Sequence, residues 1–379
     1  MIRVAQVLEA SVGGTKRHVL ALAEGLDRGR FEQTLVIGTG RTGALGPEWA
    51  ATGLPVVPFR AARAISLGGD WRAYRQLESL LAGGGFDLVH CHSAKAGFLG
   101  RMAARSLERT KRIYSPHCFP FAMQAGAARR RLYLALERWA GRHTDLLVAV
   151  SRAEAEEALR KRIVSAERLA TVPNGIRIAD FQQHGAREAT RAELGVGASE
   201  VLVLSVGLLD GQKGHRHLVE AAALLRPKCP RLRVAIAGEG PLRRGLQLAV
   251  DRLGLREHVT LLGHRDDVPQ LLAAADLFVL PSLWEGLPYA LLEAMAAAVP
   301  VVVSRVGGMA EVVREGKTGL LADAGISASL AARLREALGH SERMARMAGA
   351  AWALVATEYT EERWLRDMAA TYERVAASG

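Results

Sequence analysis

The sequence predicts an α/β protein built from two doubly wound, parallel-sheet halves. Three observations carry that expectation. Short β-branched runs alternate with helical stretches along nearly the whole chain, the pattern of repeated strand–helix–strand units. The alternation stops at Val172-Pro173-Asn174-Gly175, where Pro fixes φ and Asn-Gly suits a tight reversal, and it restarts at Val201. The length, 379 residues, suits two domains of ordinary size.

In the first half, residues 2–8 read as a strand, followed by Gly13-Gly14 and a helix containing His18 to Leu26. Further strands are expected at 34–37, 56–59, 88–90, 112–115 and 146–150. In the second half they are expected at 201–206, 234–237, 259–262, 277–280 and 301–304. The domains are expected at 1–175 and 176–356, with the hinge near 172–185. A last helix over 357–379 carries Trp364, Leu365, Met368 and Tyr372 at spacings of three and four, which marks a docking face. Sheets of this type bind ligands in the crevice outside the carboxyl ends of their strands.

Composition bounds the class. Apolar residues make up 49%, enough for real cores. No apolar run approaches the roughly 18 residues of a spanning helix, and the first residues read as a strand rather than a signal peptide. A cytoplasmic protein is expected. Three widely spaced cysteines suggest reduced thiols. The net charge is +11, and residues 1–180 hold 27 Lys+Arg against 16 Asp+Glu, so the whole excess sits in the first half. That suits an anionic partner such as a membrane surface, or simply a basic surface. Nucleic acid is not expected, because no aromatic stacking platform accompanies the charge.

Four segments could carry chemistry. Ser282 to Met295 contains Glu285, Gly286, Leu287, Pro288 and Glu293, and runs from a strand into a helix. Its turn would open backbone N–H groups at the helix start, and its two carboxylates could bind two diol groups. Alternatively, both glutamates are solvated helix charges. Val206 to Gly214 follows the restarting strand. Gly207 permits close backbone approach, and Lys213 supplies a mobile point charge for a phosphate. Gly13-Gly14 would present N–H groups to a phosphate or serve as a plain turn. His90-Cys91-His92-Ser93 and Ser115-Pro116-His117 follow two strands and converge on one crevice. Their spacing fits no standard zinc motif, so no metal is expected. Gly38-Thr39-Gly40-Arg41-Thr42-Gly43 matches a dinucleotide fingerprint, but it follows the second strand and lacks the acidic residue about 20 positions on.

Taken together, these segments resemble the GT-B glycosyltransferases, specifically the retaining family 4, or group 1. The likeness covers nearly the whole chain in order: Gly13-Gly14, His90-x-His92-Ser93, Pro116-His117, Val172 to Gly175, Val206-Gly207 with Lys213-Gly214, and Glu285-Gly286-x-Pro288 with Glu293-Ala294. The resemblance implies two Rossmann-like domains facing a cleft, with the acceptor on the first domain and a UDP- or GDP-sugar on the second. It implies that Glu293 holds the ribose, Glu285 the donor sugar, and Lys213 the diphosphate. Gly207, Gly286, Leu287 and Pro288 would border the same pocket, with Gly13 and Gly14 approaching from the first domain. His117 would stand beside the reacting centre, and the terminal helix would cross back onto the first domain. Arg265 is a candidate for the base. No cofactor and no catalytic metal are implied, and front-face substitution is expected.

The string His92-Ser93-Ala-Lys95-Ala-Gly97 looks like members that build surface polysaccharides on lipid-linked acceptors. A glycan or lipid-linked acceptor is therefore expected, with the enzyme peripheral at the inner face of the cytoplasmic membrane. Arg101, Arg105, Arg109 and Arg112 read as one helical stripe; Arg129-Arg130-Arg131 precede Leu132, Leu136 and Trp139 on an apolar face. Those three apolar residues could equally be core. The chain departs from the family at Leu208, where an arginine on the diphosphate is usual; His215 or Arg216 are the candidate replacements. The departure keeps two rivals in view: a sugar-nucleotide epimerase of the same fold, and a degenerate binding relative.

Overall fold

The structure is a computed structural model that describes residues 1–9, 13–40, 45–61, 66–123, 126–182 and 185–378. The chain divides into two compact units: Met1–Asn174 with Arg363–Gly379, and Gly175–Glu362.

The first unit holds seven strands. They are β1 (Ile2–Leu8), β2 (Phe31–Gly38), β3 (Val56–Phe59), β4 (Leu88–His92), β5 (Lys111–Ser115), β6 (Leu146–Ala149) and β7 (Leu169–Thr171). They pair in parallel in the order β3-β2-β1-β4-β5-β6-β7. Order reverses between β1 and β4, which makes that the switch point of the sheet. Both faces are covered, so the central strand β1 is a nearly continuous apolar run: Val4, Ala5, Val7 and Leu8 are all buried. The one break in that run is Gln6, polar and fully buried in the middle of β1.

The second unit repeats the plan with β8 (Val201–Val206), β9 (Leu232–Ala237), β10 (Val259–Gly263), β11 (Leu277–Leu280), β12 (Val301–Ser304) and β13 (Leu320–Ala322). The parallel order is β10-β9-β8-β11-β12-β13, with the switch between β8 and β11. The last helix, Glu361–Ala377, buries Trp364, Met368 and Tyr372 in the same core as Val4, Leu22 and Phe31 of the first unit.

Two expectations change. The arginine stripe does not exist. The helix Ala94–Ala103 ends before Arg105, and Arg112 lies on β5, so the four-residue spacing crosses two kinds of element. Arg101 is fully buried against Glu137, and Arg112 pairs with Asp145. Leu132 and Trp139 are not core either: Leu132 is 54% exposed and Trp139 41%, with Leu136 half-buried between them. Of the dinucleotide-like run, Thr39 donates its N–H to Phe59 at a strand end, while Arg41, Thr42 and Gly43 lie outside the described residues.

Candidate functional site

At the switch point of the second sheet, the loop after β8 meets the loop after β11. Asp210 organises the first: its Oδ1 accepts from the backbone N–H of Gln212 (3.0 Å) and of Lys213 (3.4 Å). The two loops are then joined where the Leu283 N–H donates to the Gln212 carbonyl at 2.8 Å. Gly214 closes the turn with φ +63°, and a Cβ there would stand 2.2 Å from the Pro281 carbonyl oxygen. Only glycine fits both the dihedral and the gap. Gly307 plays the same part behind Glu285, with φ +46° and a Cβ position 2.0 Å from the Glu285 carbonyl oxygen.

This bracing brings Lys213 and Glu285 together. Lys213 Nζ lies 2.6 Å from Glu285 Oε1, with side-chain exposures of 16% and 5%. Ser282 Oγ donates to the same oxygen at 2.7 Å, and Gln212 Nε2 donates to Oε2 at 3.0 Å. Glu285 is thus a desolvated carboxylate with three donors, where an ionised carboxylate offers about four acceptor positions. It keeps capacity for one further donor, such as a sugar hydroxyl. Gly207 sits against Lys213, a Cβ there being 3.3 Å from its methylenes. The Gly286 carbonyl accepts from the Gly308 N–H at 2.7 Å. Leu287 is buried, and Pro288 leads into the helix Tyr289–Ala296, along which Glu293 is buried. The reading of Glu285 and Glu293 as solvated charges therefore falls.

Other nominations do not join this group. Arg265 follows β10, and β9 separates β10 from β8 in the sheet. Its guanidinium is bound by Asp267 (Nε–Oδ1 2.6 Å) and Glu193 (Nη1–Oε1 2.6 Å), which hold it charged more firmly than usual. Of the two substitutes for the arginine missing at Leu208, Arg216 is a cation and His215 is not. Arg216 is 70% exposed and paired with Glu220. His215 is buried with no hydrogen-bond partner on either ring nitrogen among the described residues, and burial first, then Lys213, push its pKa down to about 3.

At the switch point of the first sheet, β1, β4 and β5 deliver a histidine network. His92 Nδ1 and His117 Nε2 are 3.1 Å apart, and His92 Nε2 faces Gln6 Oε1 at 3.0 Å. Gln6 Nε2 donates to Gln33 Oε1 and to the Tyr372 hydroxyl, each at 3.1 Å. That hydroxyl meets His90 Nδ1 at 2.6 Å, and His90 Nε2 meets Ser115 Oγ at 2.9 Å. One proton assignment satisfies the whole chain: His117 Nε2–H to His92, His92 Nε2–H to Gln6, Tyr372 O–H to His90, and His90 Nε2–H to Ser115. Burial holds His90, His92 and His117 well below the usual histidine pKa, so all are neutral imidazoles near pH 7. Ser93 and His117 sit at positive φ, 65° and 57°, a strain that non-glycine residues accept where the surroundings dictate it. Ser93 Oγ donates to Glu9, whose carboxyl burial pushes upward, and Lys95 pairs with Asp70 at 2.7 Å. Gly13, at φ +80°, precedes the helix Gly14–Gly25; both glycines are exposed there.

Sequence reasoning missed His18, Gln6, Gln212, Ser282, Asn174 as a side chain, and Tyr372 as a polar group. Gln6 carried a signal, being polar within an otherwise apolar strand. The others show only in three dimensions.

Two parallel sheets, each with its polar cluster at the switch point, define a two-domain, doubly wound α/β protein with a candidate site in each unit. The comparisons agree. Residues 13–175 match the glycosyl transferase 4-like domain, and residues 186–352 match glycosyl transferases group 1. EpsD of Bacillus subtilis is 31% identical over 303 residues, covering 79% of each chain. The UDP-Gal:alpha-D-GlcNAc-diphosphoundecaprenol alpha-1,3-galactosyltransferase of Escherichia coli is 32% identical over 250 residues, 65% of each. Sucrose-phosphate synthase of Thermosynechococcus elongatus shares the fold at a TM-score of 0.85, 22% identity and full coverage of both chains. Alr3699/HepE of Anabaena, solved with UDP and glucose, aligns at 0.83 and 23% identity over 99% of this chain and 100% of its own. The chain belongs to the group 1 glycosyltransferases and has the GT-B fold.

Proposed function

We propose that the chain transfers a hexose-type sugar, with retention, from a UDP- or GDP-sugar to a lipid-linked or cell-envelope glycan acceptor. The second unit would hold the donor and the first the acceptor. The observation that carries this reading is the Lys213–Glu285 pair, braced by Gln212 and Ser282, at the switch point of the second sheet. That place, a cation beside a desolvated carboxylate, suits a diphosphate next to a sugar hydroxyl. Support also comes from UDP and glucose in the Anabaena neighbour, and from the diphosphoundecaprenol-linked acceptor named for the Escherichia coli relative. A transferase family of relatives favours transfer over epimerisation.

The chemistry needs few parts. The bond from the anomeric carbon to the diphosphate oxygen breaks, and charge builds on that oxygen. Lys213 stabilises it, a contribution of about 10²–10³ in rate for one fixed donor of this kind. The acceptor hydroxyl attacks from the side the diphosphate leaves and gives up its proton there. His117 orients the reacting groups as a neutral imidazole, and the exposed N–H groups at Gly13 and Gly14 suit an anionic group. Glu293 takes the ribose. No metal enters this step, and with Leu208 in place of arginine, Lys213 is the residue on which diphosphate binding rests.

Melting in the presence of UDP-, GDP- and ADP-sugars tests the reading. One donor raises the melting point by mass action, and Lys213→Ala or Glu293→Ala abolishes the rise. A rise that survives both substitutions sinks it. Membrane association is a separable part. Arg129, Arg130 and Arg131 adjoin the exposed Leu132 and Trp139 on one helix, a basic and apolar surface for anionic lipid. Co-sedimentation with anionic vesicles at low salt is expected, and absence of binding there removes this part.

A further inference from the structure

The first unit gathers three imidazoles from three different elements. His18 comes from the helix Gly14–Gly25, His92 from the end of β4, and His117 from the segment after β5. One ring nitrogen from each lies within 4.8 Å of the other two. His18 and His117 meet edge to face with centroids 4.5 Å apart, and His92 lies 5.4 Å from each.

We propose that His18, His92 and His117 form a three-histidine site for Zn²⁺, distinct from the donor group in the second unit. His92 would ligate through Nδ1 and His117 through Nε2, which are already 3.1 Å apart. Tetrahedral zinc with bonds of about 2.0–2.1 Å sets its nitrogens roughly 3.3 Å apart, so that pair is close to ligand spacing. His18 would ligate through Nε2, because its Nδ1 faces Asn174 Oδ1 at 3.1 Å.

The outer contacts give the argument its weight. Zinc-bound histidines donate the remote ring N–H to a carbonyl or carboxylate oxygen, which fixes the tautomer. Here the remote nitrogen of His18 faces the Asn174 amide oxygen, and that of His92 faces the Gln6 amide oxygen at 3.0 Å. Both orienting partners are buried. Ligation through Nε2 leaves the His117 ring proton on Nδ1. A purely imidazole set suits zinc and excludes Mg²⁺ and Ca²⁺, which need oxygen. Spacing along the chain hides the site, since its ligands fall at 18, 92 and 117. Water or a substrate oxygen would complete the coordination.

Co²⁺ reports on such a site through visible d–d bands. Chelator-treated protein takes up one equivalent with those bands, and Zn²⁺ displaces it. His18→Asn and His117→Ala each abolish the bands, while His264→Ala, an exposed histidine elsewhere, retains them. Asn174→Leu keeps all three ligands and weakens Zn²⁺ by about 10–100-fold. X-ray absorption of the zinc-loaded wild type counts the imidazoles and needs no variant to fold. Fewer than three, or bands that survive both ligand substitutions, overturn the site. Given the role proposed for His117, Zn²⁺ also inhibits transfer, reversibly with chelator. Binding without inhibition upholds the site and overturns that role.

Discussion

Arg101 shows how far a single residue can depart from its sequence neighbourhood. Its guanidinium has no exposed side-chain surface and donates to the Gly97 carbonyl (2.6 Å), Thr144 Oγ1 (3.1 Å) and Glu137 Oε2 (2.9 Å). It lies 3.7 Å from the centre of the Tyr114 ring, whose hydroxyl donates to Glu137 Oε1 at 3.0 Å. Two buried charges are costly to desolvate, and the network offsets that cost only while complete. Arg101→Met should therefore lower unfolding stability by about 3–5 kcal/mol, because Glu137 is left charged and unmatched. Pairing it with Glu137→Leu should restore a large part of the loss. Urea unfolding of the singles and the double reads the coupling, and equal losses in single and double would refute the network view. An exposed pair such as Arg30–Glu373 should contribute no more than about 1 kcal/mol.

At the scale of elements, periodicity made most strands legible and left short or chemical features unread. Residues 2–8, 56–59, 201–206, 277–280 and 301–304 match strands of the structure end to end, because each is a compact β-branched or apolar run. β7 and β13 were missed, since three residues hold too little pattern to separate from a loop. In the candidate site, motif order pointed to Lys213 and Glu285, which the structure pairs, whereas the ion pairs of Arg265 with Asp267 and Glu193 follow from loop contacts that the sequence does not show. Tyr372 was read as apolar, yet its hydroxyl links the helix Glu361–Ala377 to His90 and Gln6 in the first sheet. Gln6 in turn orients His92, and His92 orients His117. Tyr372→Phe should cost about 1–3 kcal/mol in stability, since a buried acceptor on His90 loses its donor. It should also reduce kcat while leaving donor KM unchanged, because Lys213, Glu285 and Glu293, proposed above to hold the donor, lie in the other unit. A parallel rise in donor KM would count against this relay.

At the scale of the whole molecule, acid sensitivity should divide unevenly between the units. The first unit buries His18, His90 and His92 and half-buries His117, and its sequence half already carries the positive excess. Burial lowers all four pKa values, that of His18 to about 3. The unfolded chain titrates near 6.5, so below that pH it binds protons that the folded unit refuses. The stability that these residues contribute is thus fully present above about pH 6.5 and drains away as pH falls toward the depressed folded values. Each histidine can contribute up to about 1.4 kcal/mol per pH unit in that window. The second unit buries His215 with a similarly low pKa, a smaller load. Peptide-resolved hydrogen exchange between pH 7 and 5, corrected for intrinsic rates, should show protection collapsing first in β1, β4 and β5, with β8 and β11 following at lower pH. His90→Gln combined with His18→Asn should flatten the dependence of the first unit by removing two of its sinks for protons. Were the two units to lose protection together, with or without those substitutions, the imidazole cluster could not be the origin of the acid response.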